Sequence, residues 1–219
     1  RYDKTVKAEN GNFVVDGKVV KVVQIKDPSQ LPWKELDVDV VVESTGVFES
    51  FESVKPHIAA GAKRVVISAP AKDPDGEGRT ILMGVNPEEA KGVVLTSNGS
   101  CTTNAASPVI AVLNETIGIQ KAVLNTVHGY TATQNLVDGP TRGIDFRRGR
   151  AAAQNIVPST TGAAVSVTRA VKGLDGKFDG IAIRVPVPAG SIADITFVAK
   201  RKTTVEEVNS ILKTAAESP

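Results

Sequence analysis

The chain has 219 residues, 41% of them hydrophobic and 23% charged, with a formal net charge of +2. That balance belongs to a globular protein with room for one large or two modest cores; it excludes a disordered chain and gives no electrostatic ground for nucleic-acid binding. Apolar runs such as "VDVVV" fall far short of the roughly 20 residues of a membrane-spanning helix, so no membrane association is expected.

The single cysteine cannot close an internal disulfide, and with no signal-like start a reducing cytoplasm is the expected compartment. The start at Arg1 and the stop at "AAESP", directly after a helical pattern, read as a piece of a longer protein. In chain order, "FVVDGKVVKVVQI" has two β-branched runs around Asp16-Gly17, a hairpin signal. After the turn-rich "KDPSQLPWKEL", the run "VDVVVESTGVF" predicts a strand buried on both faces that ends in a loop. "SFESVKPHIAAGAK" predicts a short helix closing at Gly61, "RVVISAP" a second buried strand and "GVVLTSNGSC" a third. Strands alternating with helices imply a parallel α/β sheet.

From Thr102 the pattern changes. "TTNAASPVIAVLNETIG" is helical with Gly118 at its exit, and "KAVLNTVHGYTATQ" is a strand. The long Gly- and Arg-rich stretch "NLVDGPTRGIDFRRGRAAAQNIVPSTTG" shows no clear periodicity; loops of that length are usually functional or mobile. "AAVSVTRAV" predicts a helix, while "FDGIAIRVPVP" and "SIADITFVAK" alternate like antiparallel strands. "TTVEEVNSILKTAAES" opens a helix with a Thr204/Glu207 capping box. The change of pattern places a boundary near Ser100: residues 1–99 form a parallel α/β unit and residues 100–219 an α+β unit with a mainly antiparallel sheet.

The lone cysteine, Cys101, stands where a buried strand turns into a helix, and the amides of a helix N-terminus favour negative charge on a thiol. A free cysteine is also often a small buried hydrophobe. Its neighbours Ser100, Thr102, Thr103 and Asn104 are poor core-fillers and suit a polar pocket. A thiol nucleophile needs a base or a cation, and the chain has two histidines. His57, in "KPHIAAGAK", reads as part of a solvated helix face. His128 ends the strand "AVLNTV", a usual place for active-site groups in α/β proteins, and pairs naturally with the thiol.

Other polar features resemble anion sites. "STTG" at 159–162 opens a helix whose amides can bind phosphate. "DFRRGR" supplies guanidiniums of matching geometry, or else a solvated basic face. Arg184 interrupts the apolar strand "IAIRVPV", where an unpaired charge is costly, so an anionic partner is expected. No metal is expected.

Together, "SNGSCTTN", "TVHGYTATQ", "RRGRAAAQNIVPSTTGAA" and "IAIRVPVP", with "RYD" at the start and the strand ending "ESTGVF", closely resemble phosphorylating glyceraldehyde-3-phosphate dehydrogenase over the whole chain. The resemblance implies a two-domain homotetrameric oxidoreductase. Residues 1–99 would be the C-terminal part of the NAD-binding, Rossmann-type domain, and residues 100–219 the catalytic domain. It implies oxidation and phosphorylation of glyceraldehyde 3-phosphate through a cysteine thiohemiacetal and thioester, with Cys101 as nucleophile, His128 as base and hydride transfer to NAD. By similarity Thr131 and Arg184 bind the substrate phosphate, while Ser100, Thr102, Arg148, Thr161 and Gly162 bind inorganic phosphate. Thr45, Gly46, Ser68 and Ala69 match dinucleotide-contacting positions beyond strand ends, where open α/β sheets bind ligands.

Residues 130–153 resemble the family's S-loop, and Pro140 resembles the NAD-preferring rather than the NADP-preferring members. The family's glycine fingerprint, the ribose-binding acid and the nicotinamide-orienting asparagine are absent from the sequence, so the fragment alone is expected to be inactive. Erythrose-4-phosphate dehydrogenase has a similar motif region. A cysteine hydrolase or amidotransferase would also use a Cys-His pair, but has no need of two phosphate sites.

Overall fold

The structure, a computed structural model, describes residues 3–141 and 143–217, so most of the "RYD" resemblance lies outside the described residues. Its first strands form an antiparallel meander of β1 (Val6–Glu9), β2 (Asn12–Val15) and β3 (Lys18–Val20). The expected β2–β3 hairpin is present: Asp16 and Gly17 have φ of 50° and 78°, the left-handed pair that a two-residue turn between twisted strands requires. Asn10 and Gly11, at 48° and 74°, build the same kind of turn between β1 and β2. The apolar pattern starts only at Phe13, so β1 is an addition to the elements expected from sequence.

Next comes a parallel sheet of β4 (Val40–Glu43), β5 (Arg64–Ile67), β6 (Arg79–Thr80) and β7 (Leu95–Ser97), in the order β4-β5-β7-β6. Helix α1 (Phe51–Ala59) crosses between β4 and β5. Ser50 and Ser53 cap it reciprocally, the Asp73 carboxylate accepts from the Phe51 and Glu52 amides at 2.9 and 3.1 Å, and the chain leaves through Gly61 at φ 109°. Phe51 and Val54 of α1 pack on Val41, Val65, Ile67 and Leu95.

The expectation that β4 is buried on both faces is corrected. Val41 and Glu43 are buried, but Val40 and Val42 are 48% and 62% exposed. Side chains alternate across a strand, and among the described residues α1 covers only one face of this sheet.

The second unit contains α2 (Cys101–Thr116), β8 (Ile119–Gly129), β9 (Val157–Thr160), α3 (Ala163–Ala170), β10 (Phe178–Val185), β11 (Ser191–Ala199) and α4 (Val205–Ala216). Its sheet order is β11-β8-β10-β9. Both outer pairings are antiparallel, but β8 and β10 run parallel, so β10 and β11 are not the adjacent pair that their alternation implied; β8 lies between them. Helices α2, α3 and α4 share one apolar core with the sheet, built on Ile110, Leu113, Leu124, Val167 and Leu174. The fold is thus α/β, with a parallel Rossmann-like sheet followed by an α+β unit whose sheet is mainly antiparallel. No helix among the described residues is long and apolar enough to cross a membrane.

The capping box expected on α4 is half made. The Thr204 hydroxyl accepts from the Glu207 amide at 3.2 Å, but the Glu207 carboxylate is taken by Arg201, at 2.7 and 3.1 Å, and by the Thr203 hydroxyl at 2.7 Å. Thr204→Ala is expected to lower stability by about 1 kcal/mol, because one orphan amide loses its partner. A urea melt with an unchanged midpoint would contradict this.

Candidate active site

The turn that presents Cys101 is built by its own polar residues. Ser97, fully buried at the end of β7, donates its hydroxyl to Ala69 O at 2.7 Å and accepts from the Gly99 amide at 3.1 Å. Gly99 takes φ 66°, and Ser100 becomes the N-cap of α2. Ser100 and Thr103 cap each other, with the Thr103 amide 3.0 Å from Ser100 Oγ and the Ser100 amide 3.1 Å from Thr103 Oγ1. The Asn104 amide group donates to Asn98 O and Ser100 O at 2.8 and 2.9 Å.

The polar pocket expected around the thiol is therefore corrected. Thr102 and Thr103 are buried, and Ser100 and Asn104 hold the turn together. What the turn leaves exposed, as the first residue of α2, is the Cys101 thiol.

His128 reaches it from β8, with Nε2 3.4 Å from Cys101 Sγ. The other ring nitrogen, Nδ1, lies 2.7 Å from Gly129 O and 2.7 Å from Arg184 Nη1. A carbonyl only accepts and a guanidinium only donates, so Nδ1 satisfies one of them at a time. With Nδ1–H on Gly129 O, Nε2 is a lone pair facing the thiol. With Arg184 donating to Nδ1, Nε2 carries the proton and faces a thiolate. Transfer of the thiol proton to Nε2 from the first state gives a thiolate beside an imidazolium that keeps its Nδ1–H on Gly129 O; the second state holds one proton fewer.

Arg184 stands opposite His128 in the parallel β8–β10 register. Its Nη1 also donates to Gly129 O at 3.1 Å, its Nε is buried with no hydrogen-bond partner, and the described residues give it no carboxylate. Burial pushes this guanidinium below its ordinary value, and nearby Arg148 acts in the same direction while Cys101 opposes them. The anionic partner expected from sequence is thus not supplied by the described residues. Arg148 donates to Asp145 Oδ2 at 3.4 Å and Thr160 Oγ1 at 3.2 Å. Asp145 is held below its usual range mainly by Arg147, and Arg150 pairs with Asp138 at 3.1 Å, so most of the "DFRRGR" charge is neutralised locally.

The remaining candidates stand around this centre. Thr131 follows β8; its amide and hydroxyl both donate to Gln134 Oε1, at 3.0 and 3.1 Å. "STTG" opens a helix as expected only at its last residue: Ser159 and Thr160 end β9, and α3 starts at Ala163 with Gly162 as its N-cap. Thr161 Oγ1 accepts from the Ala163 amide at 3.1 Å. A side chain on Gly162 would lie 3.8 Å from Pro70, so this turn abuts the loop after β5, onto which Arg169 of α3 also donates, at Ala71 O, 2.9 Å away.

Thr45 and Gly46 follow β4, and Ser68 and Ala69 follow β5, the C-terminal ends of adjacent parallel strands beside the one that leads to Cys101. The structure thus joins Cys101, His128 and Arg184 directly and sets the four small residues along one sheet edge. Among the described residues, no hydrogen bond links Thr102, Thr131 or Thr161 to that trio.

His57 is not on a solvated face. It is 4% exposed and bonded to Trp33 and to Glu43, a buried acid that residue type alone did not single out. A carboxylate closing the valine run "VVVE" was the available signal, since a buried charge needs a partner.

Comparison with known proteins covers nearly the whole sequence. Residues 100–219 match the family model "Glyceraldehyde 3-phosphate dehydrogenase, C-terminal domain", and residues 1–51 match "Glyceraldehyde 3-phosphate dehydrogenase, NAD binding domain". Glyceraldehyde-3-phosphate dehydrogenase of Clostridium pasteurianum is 48% identical over 217 residues, covering 99% of this chain and 64% of its own. The Streptomyces coelicolor protein of that name is 49% identical over 208 residues, covering 94% of this chain and 60% of its own. That of Klebsiella aerogenes is 44% identical over 219 residues, covering all of this chain and 73% of its own. The chain spans about 64% of the length of the Clostridium relative. With the catalytic-domain model matched across α2 to α4 and such identity end to end, this chain belongs to the glyceraldehyde 3-phosphate dehydrogenase family.

Proposed function

We propose that the complete protein oxidises and phosphorylates glyceraldehyde 3-phosphate to 1,3-bisphosphoglycerate, and that it divides into a dinucleotide-binding unit, residues 1–99 here, and a catalytic unit, residues 100–219. The observation that carries this reading is the 3.4 Å Sγ–Nε2 contact beside a half-buried guanidinium without a carboxylate. Cys101 Sγ adds to the aldehyde carbon, giving a thiohemiacetal whose hydroxyl proton passes to His128 Nε2. NAD, when bound, supplies the hydride acceptor for that carbon. Attack of inorganic phosphate on the resulting thioester expels the Cys101 thiolate and releases the acyl phosphate.

Thr45, Gly46, Ser68 and Ala69 would hold the dinucleotide. They fit because three are exposed, all are small, and Gly46 at φ 72° has no heavy atom within 4 Å of the place a side chain would take. Arg184 and Thr131 would bind the substrate phosphate. Ser100, Thr102, Arg148, Thr161 and Gly162 would border the attacking phosphate; Ser100 spends its hydroxyl on the helix cap and Thr102 is buried, which leaves Arg148, Thr161 and Gly162 to meet the anion. A homotetramer is the assembly proposed for the complete protein.

Pro140 is exposed in the loop and offers no side-chain donor to a 2′-phosphate. The test is reduction of NAD and of NADP by the complete protein, with glyceraldehyde 3-phosphate or erythrose 4-phosphate, with and without inorganic phosphate. The expected result is phosphate-dependent reduction with glyceraldehyde 3-phosphate and a higher kcat/KM for NAD. Preference for erythrose 4-phosphate, acid release without reduction, or a higher kcat/KM for NADP would each overturn the corresponding part.

A further inference from the structure

His57 takes no part in the chemistry above, yet it is buried in the last turn of α1. The Trp33 ring is stacked on it at 6.2 Å between centroids and Phe48 is edge-on at 6.4 Å. Trp33 Nε1–H donates to its Nδ1 at 3.0 Å. An indole nitrogen can only donate, so Nδ1 carries no proton and Nε2 does. Nε2–H points to Glu43 Oε2 at 3.1 Å.

Glu43 is 5% exposed, and its other oxygen accepts the Thr45 amide at 2.8 Å and the Thr45 hydroxyl as well. The Thr45 hydroxyl in turn accepts from the Val47 amide at 3.2 Å. Every donor in this run of hydrogen bonds has an acceptor, and the run converges on one carboxylate. Beyond it the loop has little else to hold it, since residues 44–47 are exposed and Gly46 has no neighbour where a side chain would be.

We infer that Glu43 is a positioning residue for the loop at 44–47, held in register by the one tautomer of His57 that Trp33 permits. Binding that must first order a loop loses affinity to the cost of ordering, and an anchored loop avoids that loss. The inference that this serves a dinucleotide rests on the role proposed above for Thr45 and Gly46; the anchoring itself does not.

The first test needs no substitution: nitrogen NMR of the His57 ring in the unmodified chain is expected to show a proton on Nε2 and none on Nδ1, and the reverse overturns the inference. The second uses Glu43→Gln. A glutamine has one carbonyl and one amide end, so whichever way it turns, a donor faces either His57 Nε2–H or Thr45. Exchange of the Thr45 amide proton is expected to quicken about tenfold, and KM for NAD in the complete protein to rise about tenfold with a smaller change in kcat. Adding Trp33→Phe removes the group that fixes the tautomer, lets Nε2 become an acceptor for the amide end of the introduced glutamine, and is expected to recover much of both losses.

Wild-type exchange at Thr45 in Glu43→Gln, or no recovery in the double variant, overturns the relay. Faster exchange with an unchanged KM for NAD overturns its role at the cofactor loop. An unmodified complete protein that binds no dinucleotide overturns the proposed function and that role together, while the ring and exchange results still decide the anchoring.

Discussion

Cys101→Ser in the complete protein is expected to slow glyceraldehyde 3-phosphate oxidation by at least about 10³-fold, because a serine hydroxyl in the same place is a far weaker nucleophile at neutral pH. Dinucleotide affinity should stay nearly unchanged, since Thr45, Gly46, Ser68 and Ala69 follow β4 and β5 and not α2. The turn should also survive. The capping bonds run between Ser100 and Thr103 and the Asn104 amide group bonds to Asn98 and Ser100, so none uses the sulfur.

His128→Asn removes the acceptor of the hydroxyl proton and should cost about 10²–10⁴-fold in rate. It should also slow alkylation of Cys101 by iodoacetamide, because no ring nitrogen then stands 3.4 Å from the sulfur to take its proton. Wild-type alkylation in that variant would break the pairing even if turnover fell. A Cys101→Ser protein retaining more than about a tenth of the rate would exclude the thioester route altogether.

Much of this site was legible from the residues because the signals were local. A strand closing on "SNGSC" and a helix opening at "TTN" fix where the thiol stands, and a strand ending in His128 fixes where a base can stand. The Asp16-Gly17 turn is legible in its dipeptide, and the equivalent Asn10-Gly11 turn follows from the same rule. What local pattern does not encode is which strand pairs with which. "IAIRVPV" and "SIADITF" alternate alike, but β10 lies parallel to β8 and β11 antiparallel to it on the other side, pairings between residues far apart in sequence.

The expectation for His57 failed for a different reason. Residue type argued for solvent, but its spacing of three from Val54 puts both on one side of a helix, and that side is the buried one. Thr102 and Thr103 depart from expectation in the same way. Threonines in the first turn of a helix can be buried when the turn itself uses their polar atoms, as Thr103 does.

Arg184→Leu separates a group kept for stability from one kept for binding. The guanidinium sits half-buried in a strand, with an unpartnered Nε and burial pushing against its charge, so its place there carries a desolvation cost. Leucine, apolar and without a charge to desolvate, should therefore leave thermal stability equal or slightly higher. Function should move the other way. A charge-assisted bond to the substrate phosphate is worth about 1.5–3 kcal/mol, which is roughly a 10- to 150-fold rise in KM for glyceraldehyde 3-phosphate. Unphosphorylated glyceraldehyde provides the control: its KM should barely change, because it has no phosphate for the guanidinium to bind. Removing the Nη1 bond to His128 Nδ1 would instead lower kcat for both aldehydes alike. A variant with the same KM for the two substrates as the unmodified protein and a lower unfolding temperature would show that Arg184 serves the strand and not the phosphate.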